Sequence, residues 1–210
     1  MIRKILVVAA LALGVTACGD QTRMGAAATF GDTPRISEAE LSGAVNEWRD
    51  SYKENPLPAQ QLTLADPEST PRSVLSRLIS MRVSEKAAGD RGIVVTSAQV
   101  DELMSQVARD GGVKLFDLFT MSYGVPPSHR REFARMIAIN NRLATGAGSD
   151  AAANEQVHQA LTQTAQKMGI KVNPRYGSGY DEGLLQPVKT CLSRMGGGRL
   201  PGAEDEKPCV

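Results

Sequence analysis

Apolar residues recur at helical intervals along most of this chain, and capping and breaking residues divide them into separate segments. Leu41, Ala44, Val45, Trp48 and Tyr52 fall on one face of a helix. It opens at Ser37, with Glu40 placed to complete a capping box and Ile36 placed to staple onto Leu41. From Lys53 to Ser69 the text is polar and carries Pro56, Pro58 and Pro67, which predicts a loop. Thr70-Pro71 starts a second helix, proline being harmless at the first helical position because no N–H is needed there. Its inner face is Leu75, Leu78, Ile79, Val83 and Ala87, and Gly89 or Gly92 ends it.

Ile93-Val94-Val95 reads as a brief extended connector. Thr96 and Gln99 then form another capping box, and Val100, Leu103, Met104, Val107 and Ala108 keep helical spacing until Gly111-Gly112. Leu115, Phe116, Phe119 and Tyr123 predict a short helix closed by Gly124. Pro126-Pro127 begins the next, with Phe133, Met136, Ile137, Asn140 and Ala144 inward, and Thr145 to Ser149 is a loop. A last helix carries Val157, Ala160, Leu161, Thr164, Ala165 and Met168 on one side and stops at Gly169. There the period changes: Ile170, Val172, Pro174 and Tyr176 alternate with polar residues, as in a strand. A strand needs a partner, and the other extended candidate is Ala28 to Thr33. The expected fold is mainly α, with a small two-stranded ribbon joining the N- and C-terminal segments.

Residues 1–18 follow a different pattern. Arg3 and Lys4 precede an uncharged run from Ile5 to Val15, and small residues lead to Cys18. This is the layout of a secretory signal, and the run is shorter than the roughly 20 residues a membrane-spanning helix needs. Val15-Thr16-Ala17-Cys18 resembles a bacterial lipobox, which implies a diacylglycerol on the Cys18 sulfur after cleavage; an ordinary signal with a chance cysteine is the alternative. Acyl burial contributes about 0.8 kcal/mol per CH₂, so several chains on Cys18 would anchor a soluble domain. Residues 19–29 then read as a flexible tether.

Loss of Arg3 and Lys4 from the 24 basic residues leaves 22 against 23 acidic ones, a balance that gives no reason to expect nucleic-acid binding. Aromatic residues make up 4% of the chain, so aliphatic side chains and methionine must do most of the packing. Outside a reducing compartment Cys191 and Cys209 can pair, closing a loop that contains Gly196-Gly197-Gly198 and Pro201-Gly202; two free or mispaired thiols are the alternative. No histidine lies near them in sequence, which argues against a metal site. No cofactor is expected.

The order of these pieces is similar to the N-terminal chaperone module of SurA-type and PrsA-type extracytoplasmic foldases. The carriers are Ile36-Ser37-Glu38-Ala39-Glu40-Leu41, Val74-Leu75-Ser76-Arg77-Leu78-Ile79, Gly92-Ile93-Val94-Val95-Thr96 leading into Gln99-Val100, and the closing stretch from Gly169 to Gly177. The resemblance spans residues 30–177 and leaves 178–210 as a C-terminal extension. It implies a helical module, built from both ends of the chain, that cradles unfolded or newly secreted polypeptides. In such proteins a parvulin-type prolyl isomerase often precedes the last helix; the corresponding place here, Thr145 to Ser149, is too short to hold one. The resemblance therefore implies holding rather than catalysis, at the extracytoplasmic face of the cell membrane or, in a two-membrane bacterium, at the outer membrane. A scaffold that binds one specific envelope partner is the rival expectation.

Individual residues add little chemistry. His129 and His158 lie in no recognisable catalytic motif, and neither Ser42-Gly43 nor the glycines after Met195 match a nucleophile elbow or a phosphate loop. Met81, Met104, Met121, Met136 and Met168 suit either core packing or an adaptable binding surface, with packing the better account. Phe116, Phe119, Met121 and Tyr123 form the apolar cluster best placed to stay partly open, and are the candidates for client contact.

Overall fold

The computed structural model describes residues 24–58, 62, 69–183 and 185–188. The elements run β1 (Ala26–Thr29), β2 (Ile36–Ser37), α1 (Glu38–Glu54), α2 (Thr70–Asp90), α3 (Ser97–Ser122), α4 (Arg130–Leu143), α5 (Asp150–Met168), β3 (Lys171–Val172), β4 (Tyr180–Asp181) and β5 (Gln186–Pro187), with a 3₁₀ turn at Pro127–His129 before α4.

Most helix starts are the predicted ones. The Ser37 hydroxyl accepts from the Glu40 amide at 3.0 Å. The Glu40 carboxylate turns instead to Arg82, 3.4 Å away on α2. At α3 the capping box is complete, with Thr96 and Gln99 each accepting from the other's backbone N–H. Ser149 caps α5 by accepting from Ala152, and Gly169 ends it in the left-handed region at φ 57°.

Helix α2 is the axis of the molecule. The sequence predicts one apolar stripe on it, but Val74, Met81, Ser84 and Ala88 are buried as well as Leu75, Leu78, Ile79, Val83 and Ala87. The reason is that α1, α4 and α5 all pack around it, and a helix enclosed on several sides needs no polar face there. Arg91, just past its end, donates to the Ala160 carbonyl and the Thr164 hydroxyl and so ties α2 to α5. On α4 the buried set is Phe133, Ala134, Met136, Ile139 and Leu143. The inward face is thus rotated from the predicted one, and half-buried Asn140 meets the buried Ser84 hydroxyl at its edge.

Segments before α1 and after α5 meet in a sheet of three strands rather than the expected two, in the order β2-β1-β3, all antiparallel. Ala28 pairs with Val172 and Thr29 with Lys171, while Ala28 also faces Ile36. Ala26, Ala27 and Ala28 are fully buried, and their small side chains let α1 and α2 pack against the strand. The last residues of the expected tether are therefore a core strand. Asn173 locks the junction: its side-chain amide donates to the Ala26 carbonyl at 3.0 Å and to Glu38 at 3.2 Å.

Two more features depart from expectation. The α3 segment is continuous from Ser97 to Ser122 except for non-helical dihedrals at Gly112, φ 75° and ψ 173°, so the two predicted helices meet at a kink. Beyond Gly177, β4 and β5 form a hairpin that contacts α2, and Tyr180 belongs to the core. The packed body therefore reaches past residue 177. Cys18, Cys191 and Cys209 lie outside the described residues, and so do the signal segment and residues 19–23 of the expected tether.

Candidate functional site

Two surface features of this body could hold something. The first is built on the second half of α3. Phe119 and Tyr123 lie one helical turn apart, and Phe133 of α4 closes the group; the ring centroids are 5.0 Å apart for Phe119 and Tyr123, 6.1 Å for Phe119 and Phe133, and 5.6 Å for Tyr123 and Phe133. Of the candidate contact residues, Phe116 and Met121 are 2% and 3% exposed and belong to the core, whereas Phe119 is 38% exposed and Tyr123 half-buried. Leu115, a turn before Phe119, is 44% exposed. The open part of the cluster is therefore Leu115, Phe119 and the edge of Tyr123.

Arg77 supports this patch from below. Its Nε donates to the Tyr123 carbonyl at 3.3 Å and its guanidinium lies 5.7 Å from the centre of the Tyr123 ring, a cation–π distance. Burial lowers the pKa of Arg77, and the nearby Tyr123 and Tyr180 phenols oppose that shift. Trp48 of α1 fixes the end of the same helix, its indole N–H donating to the Met121 carbonyl at 2.9 Å.

The second feature is a crevice of about 540 Å³ between the first half of α3 and α4. Val95, Ala98, Leu103 and Ala138 supply apolar surface, and Gln99, Gln106 and Asn141 bring amides to its walls. Glu102 and Arg142 are its charged lining, and Glu102 is 3.7 Å from Arg109. The periodic residues Leu103, Met104 and Val107 are only half-buried here. The period correctly marks the helix; that face packs against the margin of the core, and Leu103 also lines the crevice.

The polar residues elsewhere serve structure. Ser128 donates its hydroxyl to the Glu47 carboxylate and lies 2.9 Å from His129 Nδ1. The serine thus stands between carboxylate and imidazole, so the carboxylate does not orient the ring as a nucleophile–base relay requires. Glu47 also accepts from the Ser128 amide at 2.7 Å, which ties the 3₁₀ turn to α1. His158 Nε2 lies 2.7 Å from the Gly183 carbonyl, joining α5 to the β4–β5 hairpin. Among the described residues no group of three or more His, Cys, Asp or Glu side chains is placed to hold a metal ion. No described helix is long and apolar enough to cross a membrane.

Sequence reasoning missed the crevice because its walls come from separate helices. Its one local signal is the amide spacing Gln99 and Gln106, which places both on one face of α3. Against known families, residues 1–112 match the SurA-like N-terminal domain. No curated protein and no solved structure matches this chain.

Proposed function

Because the chain belongs to the family of SurA-like N-terminal domains, a chaperone-type and non-catalytic module, we propose that it holds unfolded or newly exported polypeptides at a membrane to which Cys18 anchors it. The family carries the chaperone-like, periplasmic character of this reading. The α3–α4 crevice, with apolar surface and amides on facing helices, supports polypeptide as the ligand. The holding is done without isomerase chemistry: α4 ends at Leu143 and α5 starts at Asp150, so the place where a parvulin domain would enter is a short turn. Anchoring rests on the lipobox-like Val15-Thr16-Ala17-Cys18.

The direct test is suppression of aggregation. The mature chain, without ATP, should keep several unrelated unfolded proteins in solution at equimolar ratio; protection of none of them ends the general-chaperone reading. For the anchor, Cys18→Ala should leave the protein in the soluble fraction or block its processing, while its circular dichroism stays unchanged. Cys18→Ala protein that is cleaved normally and still pellets with membranes would overturn the lipid anchor.

A second reading draws on the dimensions of the crevice. A volume of about 540 Å³, edged by Glu102 and Arg142, is narrow for many clients and suits a scaffold that takes one segment of one envelope partner. Protection of a single protein among several in the same assay would favour it.

A further inference from the structure

Gly112 interrupts α3 with φ 75° and ψ 173°. Nothing lies within 4 Å of the position its Cβ would take, so glycine is needed there for the dihedral angles and not for room. Burial differs sharply on its two sides. After it, Phe116, Thr120, Met121 and Ser122 are buried, and Trp48 is bonded to the Met121 carbonyl. Before it, among the side chains described between Ser97 and Arg109, Val100 alone is buried.

The first half of α3 is attached to the body by buried Val100, by half-buried Leu103, Met104 and Val107 against the core, and by polar contacts at its surface. Asp101 pairs with Arg131 of α4 on the surface. Arg135 of α4 donates from Nη1 to the Val95 carbonyl at 2.7 Å, just ahead of the α3 N-cap, while its fork engages Glu85. The crevice is lined by this segment and by α4. As it stands, its volume falls in the range of about 300–1,000 Å³ usual for small-ligand pockets. A protein partner typically needs roughly 800 Å² of covered surface per side, so a polypeptide segment of that reach requires a wider opening. Gln99 and Gln106 on α3 and Asn141 on α4 line the crevice together with small apolar side chains. The Gln99 oxygen is held by the Thr96 N–H and the Gln106 amide donates to Glu102, which leaves the Gln99 NH₂, the Gln106 oxygen and Asn141 for a ligand. Amides can pair with a peptide backbone whatever its sequence, and Ala98 and Ala138 leave space for it.

We propose that residues 97–111 are an arm that swings about Gly112, widening the crevice to admit an extended stretch of unfolded polypeptide and then closing over it. The proposal rests on the holding function above and supplies its moving part. The Gly112 dihedrals absorb the motion, the anchored half from Lys114 to Ser122 stays fixed, and the Asp101–Arg131 and Arg135–Val95 contacts are the latch.

Amide hydrogen exchange on the mature full-length chain tests this, with reduced and carbamidomethylated α-lactalbumin as the unfolded client. Without client, amides in 100–110 should exchange faster than those in 115–122 by about tenfold or more, and client should slow the arm by about threefold or more. Equal exchange in the two halves, or client protection that spares the arm, overturns the hinge. Gly112→Ala should straighten α3, since alanine avoids these dihedrals, and should weaken client binding by about tenfold. Because that variant could fail to fold, Asp101→Asn is the companion: it should speed exchange in 100–110 and leave 115–122 unchanged, and unchanged arm exchange counts against the latch and the proposal with it. The two readings fail separately. Aggregation suppression by a chain whose arm does not move removes the hinge alone; a mobile arm with no suppression of any client removes the holding function and keeps the hinge.

Discussion

Tyr180 shows how much one side chain can reveal about its surroundings. It is 8% exposed, and its hydroxyl has no hydrogen-bond partner among the described residues. A buried hydroxyl without a partner costs more than the same site filled by a ring alone. Tyr180→Phe should therefore raise the unfolding free energy by about 1 kcal/mol, read from urea denaturation at neutral pH. Burial also pushes the Tyr180 phenol up from its ordinary value, with Glu182 adding to the shift and Arg77 opposing it. Both folded and unfolded chains hold the phenol neutral below about pH 10. The stability it confers is complete there and is lost as pH rises through the raised folded value, because the unfolded chain releases that proton first. The alkaline fall in stability should be shallower in Tyr180→Phe, and identical curves for the two proteins would remove the account. None of this was legible in the sequence, where residues 178–210 open with Gly179 and Gly183 and read as an extension. The burial of Tyr180 depends on α2 lying under the hairpin, a contact that no local pattern encodes.

At the scale of elements, the helices were legible because period, caps and breakers agree in each. Ser37, Thr96, Ser149 and Gly169 do at the ends of α1, α3 and α5 what their residue types favour. Strands of two residues, such as β2 and β5, are too short to show an alternation, so the sheet was only half visible. The binding candidates were half visible for a related reason: heptad-like spacing places Phe116, Phe119 and Tyr123 on one side of α3, but which of them α4 covers is decided by packing. The α4–α5 connection tests the element reading directly. Thr145, Gly146 and Gly148 are exposed, and the Ser149 cap lies beyond them. Inserting about ten Gly and Ser residues between Gly146 and Gly148 should lower stability by only about 1 kcal/mol, since closure entropy grows slowly with loop length. A loss of several kcal/mol in denaturant melts would mean that the turn itself organises α4 and α5.

For the whole molecule, the strand order β2-β1-β3 has a consequence in time. The β1–β2 pairing is local and can form as soon as Ser37 is made, but it leaves the other edge of Ala26–Thr29 open. Only β3, at Lys171–Val172, covers that edge. At a synthesis rate of about 5–20 residues per second, the first strand waits roughly 7 to 30 s for its second partner. A chain ended after Gly169 should reproduce that waiting state, and should be cut by protease far faster than the full chain and unfold without a cooperative transition. Cooperative unfolding of the shortened chain would show that the helices close without the sheet. If the strand does wait, this protein spends its first seconds as an open-edged, aggregation-prone chain, the kind of molecule its family is built to attend.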